Sequence, residues 1–185
     1  MTYQPPLVGL EDMFRLQLPA QNKELLQFPQ IDAETLRRNG KLFGKAGELV
    51  VESVLLRLGL ESVSLPEHLP FDYAVLHERG IIRVQVKTAS RPRDGSFHFS
   101  ISKGYHRSPG GVREYSRKDF DLLALVGLSE DVVKFTADRR RSQVIGMDEI
   151  EDLRRRPGAS LERALADVGV DQRPPSPSSI MPFCY

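Results

Sequence analysis

The stretch Gly80-Ile-Ile-Arg-Val-Gln-Val-Lys-Thr88 decides how this chain is read. β-Branched residues alternate here with polar ones over nine positions, the signature of a strand with one apolar face. Side chains alternate sides along a strand, so Ile82, Val84 and Val86 share one face and Arg83, Gln85 and Lys87 share the other. An amide and an ammonium two residues apart, flanked by valines, are thereby held side by side on a strand that is otherwise apolar.

Upstream, Phe71–Leu76 reads as a second strand, joined to Ile81–Ala89 through His77-Glu78-Arg79-Gly80. A short connection containing glycine predicts a hairpin. A four-residue loop, 77–80, sets Leu76 opposite Ile81 and Asp72 opposite Gln85. A two-residue loop, Arg79-Gly80, sets Asp72 opposite Lys87. In either register Asp72 joins the Gln85 and Lys87 face; a three-residue loop breaks the cluster.

Before the hairpin, Leu42–Leu58 predicts a helix. Phe43, Ala46, Val50, Val54 and Leu58 recur at helical spacing, and Gly59 stands at the stop. Glu48 falls at the edge of the apolar sector, beside Val51 and Leu55. Lys45, Glu48 and Glu52 share the polar strip. Glu48 therefore has two readings: an acid leaning over the sheet edge towards Asp72, or half of a surface ion pair with Lys45. Asp32, with Glu34 and Thr35 behind it, reads as an earlier helix start, and Gly40 as a break or bend.

Working outward, Leu60–Leu65 and Phe97–Ile101 read as strands, and Asp121–Gly127 as an interior strand. Val132–Thr136 and Gln143–Gly146 are weaker candidates, and 147–156 and 159–168 read as helices. Residues 102–118 read as a long loop. The chain divides into an arm (1–31, with a short helix around Leu10–Leu18), a main domain (32–146), C-terminal helices (147–170) and a Pro/Ser-rich tail (171–185). Helix, three strands, long loop, further strands and helices together predict an α/β fold around a mixed sheet.

Net charge is only +1 over 185 residues, but it is unevenly placed. Arg91, Arg93, Lys103, Arg107, Arg113, Arg117 and Lys118 face only Asp94 and Glu114 between residues 91 and 118, leaving that segment +5 and the remainder −4. Such a stretch suits a phosphate backbone, or is simply a solvated basic loop. The single cysteine, Cys184, builds neither a disulfide framework nor a zinc site, and a reducing, cytoplasmic setting is expected. No apolar run approaches the roughly 18 residues of a membrane span, so no membrane partner is expected. Gly40-Lys-Leu-Phe-Gly44-Lys45 is one residue short of a phosphate-binding loop and lacks the hydroxyl residue that would hold Mg²⁺. His68, His77, His98 and His106 show no metal-ligand spacing.

The ordered set Gly44-Lys-Ala-Gly-Glu48, Pro70-Phe-Asp72 and Gln85-Val-Lys87-Thr88 resembles the PD-(D/E)XK nuclease superfamily. More narrowly, it is similar to the group I intron-associated and Holliday-junction-resolvase-like branches, over about residues 40–136. The resemblance implies a restriction-endonuclease-like core, a central mixed β-sheet flanked by helices. It implies a DNA endonuclease using Mg²⁺ or Mn²⁺, with Asp72 as principal ligand and Glu48 as the helix carboxylate. Lys87 would position or deprotonate the attacking water. Gln85 stands where many relatives carry an acid, which removes one negative charge; its amide oxygen and the Val86 carbonyl would complete the shell. Arg91, Arg93, Lys103, His106, Arg107 and Arg113 would grip phosphates. Tyr105 and Tyr115 would pack on sugar or base, though Tyr115 reads equally as a core residue. Cutting both strands would call for a homo-oligomer of at least two chains. The alternative is a catalytically silent module of the same fold that binds DNA or a protein partner.

Overall fold

The computed structural model describes residues 22–104 and 111–169. The arm around Leu10–Leu18, His106, Arg107, Tyr105 and the C-terminal tail with Cys184 lie outside them. The chain forms two units that divide between Arg38 and Asn39.

In the first unit, α1 (Asn22–Leu25) and α2 (Ala33–Arg38) are tied by side chains. Asp32 Oδ1 accepts the backbone N–H groups of Glu34 and Thr35 at 2.8 and 2.9 Å, capping α2 as the sequence led one to expect. Thr35 Oγ1 lies 2.7 Å from Asp32 Oδ2 and 2.9 Å from Glu24 Oε2, and Arg38 reaches the same Glu24 oxygen at 3.1 Å. These bonds tie residues 33–38 to α1 within the first unit.

The second unit opens with α3 (Gly40–Arg57), a separate helix that starts after Asn39. Leu58 closes it, and Gly59 follows at φ +76°, the left-handed position that glycine fills without strain. Among the described residues seven strands follow: β1 (Ser62–Ser64), β2 (Tyr73–His77), β3 (Gly80–Ala89), β4 (Ser96–Ser100), β5 (Leu122–Gly127), β6 (Val132–Thr136) and β7 (Ser142–Gly146). Helices α4 (Ile150–Arg155) and α5 (Gly158–Asp167) complete it. The central sheet is mixed, in the order β1-β2-β3-β5-β6; only β3 and β5 run parallel. Strands β4 and β7 pair as a separate antiparallel ribbon. The α/β architecture with a mixed sheet flanked by helices is the one inferred from element order.

Each face of the sheet has its own cover. Helix α3 packs on β3 and β5, burying Val51, Val54 and Leu55 on the side of Tyr73, Ile82, Val84 and Val86. Its buried stripe runs through Gly47, Val51, Val54 and Leu55, one position round from the spacing read in the sequence. On the other face, Leu123 and Leu125 join Phe97, Phe99, Ile101, Phe120, Ile145, Ile150 and Leu153 in one apolar cluster. Every residue of β5 is therefore buried, as expected for a strand covered on both sides. Burying each such Leu or Val contributes roughly 1.5–3 kcal/mol.

Hairpin register is the step that positions chemistry. Leu76 pairs with Ile81 and His77 with Gly80. The turn proper is Glu78-Arg79, and continuing the register places Asp72 opposite Gln85, one of the two arrangements the sequence allowed. Asp72 is strapped on both sides: its N–H donates to Val84 O and its carbonyl accepts from Leu65 N–H, each at 2.9 Å.

Gly47 sets how closely α3 lies on β3. A Cβ added there would stand 2.0 Å from Thr88 Oγ1, 2.8 Å from its Cγ2 and 2.9 Å from its Cβ. Gly47→Ala is expected to destabilise the protein by about 1–3 kcal/mol through overpacking, even though Ala gains roughly 1 kcal/mol over Gly inside a helix. Thr88→Ala in the same chain should recover part of the loss. Urea unfolding of the single and double variants measures both, and a Gly47→Ala chain as stable as wild type would refute the close approach.

Candidate active site

Asp72 enters β2 with its carboxylate held by the neighbouring strand. Oδ2 accepts the Val86 backbone N–H at 2.6 Å and the Gln85 amide Nε2–H at 2.6 Å. Gln85 Nε2 also donates to Val86 O at 3.0 Å, and the Gln85 side chain is buried. Asp72 Oδ1 has no hydrogen bond among the described residues. Burial pushes the Asp72 pKa up; the Val86 N–H opposes this, nearby Glu48 reinforces it, and Lys87 and Lys45 offset part. The net effect is a carboxyl group above the ordinary aspartate range.

Lys87 lies on the same face but reaches away from Asp72 at its tip. Its Nζ donates to Ser102 O and to the Tyr115 hydroxyl, both at 3.1 Å, and sits 5.1 Å from the Tyr115 ring centroid. Burial pulls the Lys87 pKa down, and Asp72 only partly restores it. Tyr115 is held by an edge-on contact with Phe120 (centroids 5.0 Å, 67° between planes), and burial with Asp72 and Asp119 lifts its phenol to about 12. Both readings of Tyr115 thus bear on where it sits: its ring packs on the core while its hydroxyl faces the site.

Glu48 stands on α3, its Oε2 paired with Lys45 Nζ at 2.8 Å, and borders the same two clefts as Asp72. The Glu48 hydrogen bond is the largest influence raising the Lys45 pKa. The neighbouring turn is pinned by Tyr73, whose hydroxyl lies 3.1 Å from Glu48 O and 3.3 Å from Glu52 Oε2. Burial, then the charges of Glu52 and Glu48, drive the Tyr73 pKa well upward. Sequence reasoning passed over Tyr73; its signal was a tyrosine on the helix-facing side of a strand, with a glutamate four residues beyond Glu48.

Two clefts meet at the trio. One, about 320 Å³, is lined by Gly40, Phe43, Gly44 and Glu48 across from Asp72, Gln85, Val86 and Lys87. The other, about 490 Å³, joins Asp72, Gln85 and Lys87 to Ser102, Lys103, Arg113 and Tyr115. A separate cleft of about 510 Å³ near α4 and α5, lined by Asp152, Arg156, Glu162 and Arg163 among others, contains none of these groups.

The expected phosphate contacts are dispersed. Arg113 is exposed at the rim of the second cleft. Lys103 lines that cleft too, but its Nζ is bound to both oxygens of Asp119 at 2.8 and 2.9 Å. Burial disfavours Asp119 ionisation, yet Lys103 and the Ser116 N–H outweigh it and hold the pKa low. Arg91 is half-buried and Arg93 exposed at the turn into β4, and neither lines the two clefts. No described helix is long and apolar enough to cross a membrane.

Among the described residues, no three His, Cys, Asp or Glu side chains group closely enough to hold a metal by themselves. The oxygens at hand are the two carboxylates, Asp72 and Glu48, and the Val86 carbonyl. Gln85 presents its amide nitrogen to Asp72 as arranged, and would offer oxygen with the amide turned end for end. This donor set suits a hard cation such as Mg²⁺ or Mn²⁺, which takes oxygen ligands and keeps several waters. A half-buried, half-satisfied carboxylate beside a second acid is also the kind of site that a cation relieves.

No family model matches the chain, and no curated protein does. Solved structures are similar to it in fold. One of them is that of a bacterial homing endonuclease, I-Ssp6803I, at 17% identity, covering 60% of this chain and 72% of that chain with a TM-score of 0.44. At that distance the site has to be read from its own side chains.

The raised Asp72 pKa has a consequence for stability. The folded protein holds that proton more tightly than the unfolded chain, so stability falls as pH rises from the ordinary aspartate range through the folded value. In EDTA at neutral pH, Asp72→Asn is expected to melt higher than wild type, by about 2–4 °C for each kcal/mol relieved. Well below pH 3.8, the ordinary value for the residue, the difference should vanish. Thermal melts across pH test this; a lower melting temperature for Asp72→Asn at neutral pH contradicts it.

Proposed function

We propose that this chain is a metal-dependent endonuclease that hydrolyses phosphodiester bonds in DNA, with Mg²⁺ or Mn²⁺ held by Asp72 and Glu48. The observation that carries this reading is the convergence of a half-buried acid, a buried amide and a partly desolvated lysine where two clefts meet. The order of these residues is also that of the PD-(D/E)XK nucleases, whose motifs the sequence resembles.

Each residue has a distinct task. A phosphodiester is anionic and repels hydroxide, so its hydrolysis needs local positive charge and a generated nucleophile. A divalent cation held by Asp72 and Glu48 would supply both, by lowering the pKa of a water and neutralising charge at the phosphate. Gln85 and the Val86 N–H hold one oxygen of the Asp72 carboxylate and leave the other for the cation. Lys87 takes the proton of the attacking water at Nζ, a role suited to an amine whose proton affinity burial has lowered. Ser102 O and the Tyr115 hydroxyl hold that nitrogen in place. Arg113, exposed at the cleft rim, meets a phosphate beside the one cut.

Nicking of supercoiled plasmid in Mg²⁺ tests the reading directly. Asp72→Ala and Lys87→Ala are each expected to slow nicking by roughly 10²–10⁴-fold, and EDTA to stop it. Mg²⁺ should also raise the melting temperature of wild type and leave Asp72→Asn unmoved, since a ligand stabilises only the state that binds it. A pure wild-type chain that cuts neither supercoiled, branched nor single-stranded DNA with either metal would overturn the enzyme in favour of a silent binding module.

A further inference from the structure

Beyond Arg113, exposed cations continue over a surface outside both clefts. The turn between β6 and β7 carries Arg139, Arg140 and Arg141, and the segment leading to β5 carries Arg117 and Lys118. These two stretches are braced together. Arg139 Nη2 donates to Phe120 O at 2.7 Å and to Asp121 O at 3.0 Å, and its guanidinium lies 5.0 Å from the Phe120 ring centroid. Burial pushes the Arg139 pKa down; Asp121 opposes this, and the nearby cations Arg117 and Arg83 add to it. Arg139 is thus spent on bracing, and Arg117 stands close by. At the other end of the turn, Ile101 N–H donates to Arg141 O at 2.8 Å.

The remaining cations face outward. The Arg140 and Arg141 side chains are 80% and 72% exposed, and Arg113, Arg117 and Lys118 are exposed as well. Two carboxylates sit among them: Asp138, 2.5 Å from Arg140, and Glu114, 3.7 Å from Arg141. Exposed pairs of this kind hold their partners weakly, so the guanidinium forks stay available. The surface reaches the site through a backbone bridge, in which Lys103 and Arg113 exchange N–H···O bonds at 2.9 Å in both directions. Both residues line the cleft that contains Asp72, Gln85 and Lys87.

We propose that Arg113, Arg117, Lys118, Arg140 and Arg141 form a track that binds the phosphate backbone of duplex DNA flanking the cleavage site. The proposal rests on the nuclease reading for its choice of DNA. Five outward cations against two carboxylates give the charge complement. A duplex offers about one phosphate per 1.7 Å of axis for it to meet, and planar guanidinium forks match phosphate oxygens. Contacts of this kind carry no sequence information and fix the placement of the duplex.

The test is binding of a labelled duplex to the full-length chain in EDTA, followed by fluorescence anisotropy over a range of salt. Arg140→Ala/Arg141→Ala and Arg117→Ala/Lys118→Ala are each expected to reduce the slope of log affinity against log salt by about 2, with weaker binding to every DNA sequence tried. Arg140→Lys/Arg141→Lys, which keeps the charges, should retain most of the slope and controls for folding. Unchanged slopes in both alanine variants overturn the track, as does a wild-type chain that binds an acidic protein surface but no duplex at low salt. Cleavage is scored separately. A chain that nicks plasmid with unchanged slopes keeps the nuclease and loses the track; a chain that never nicks but loses slope does the reverse.

Discussion

The contact between Gly47 and Thr88 is the constraint on which the rest of the second unit depends. Where α3 crosses β3 there is room for no side chain at all on the helix. That closeness lets Val51, Val54 and Leu55 bury against the sheet, and it lets Tyr73 reach the helix backbone at Glu48. It also brings Glu48, the next residue along, beside the first cleft. A helix held one side chain further away would still cover the sheet, but its acid would no longer border the same space as Asp72.

The electrostatics of the site follow from that packing. Asp72 and Lys87 are each shifted towards their neutral forms, and burial is the leading cause in both. Two groups that would form an ordinary ion pair in water are instead kept apart at their tips, one bound by backbone and amide N–H groups, the other by a carbonyl and a phenol. The protein thus places a reluctant carboxylate and a reluctant ammonium on one face, where each favours the other's charged form by less than burial opposes it.

Much of this was legible in the chain. The alternation from Ile82 to Lys87 fixed which side chains share a face, and turn chemistry narrowed the hairpin to registers that include the observed one. Gly59 announced the end of α3. Other features left no local trace. Nothing near Lys87 in sequence points to Ser102 or Tyr115, because those partners arrive from the far side of β4. Lys103 reads as a free cation until folding sets Asp119 beneath it. Glu48 could not be decided between ion pair and site because helical spacing permits both; folding pairs it with Lys45 and leaves it bordering the cleft of Asp72. Gly47 was visible as part of a motif, but its meaning is steric and needs Thr88, forty-one residues away, to be seen.

The parallel pairing of β3 with β5 also bears on how the protein reaches this state. The β2–β3 hairpin joins neighbours in sequence, so Asp72 and Gln85 can meet through a small loop. Arg83 and Asp121, which exchange backbone and side-chain bonds, lie 38 positions apart and must close a much larger one. Loop-closure entropy therefore delays the pairing of β5 with β3 relative to the hairpin. During that interval the apolar face of β5, which has no polar side of its own, lacks its shelter, and the order of assembly becomes a matter of keeping that strand from meeting another chain first.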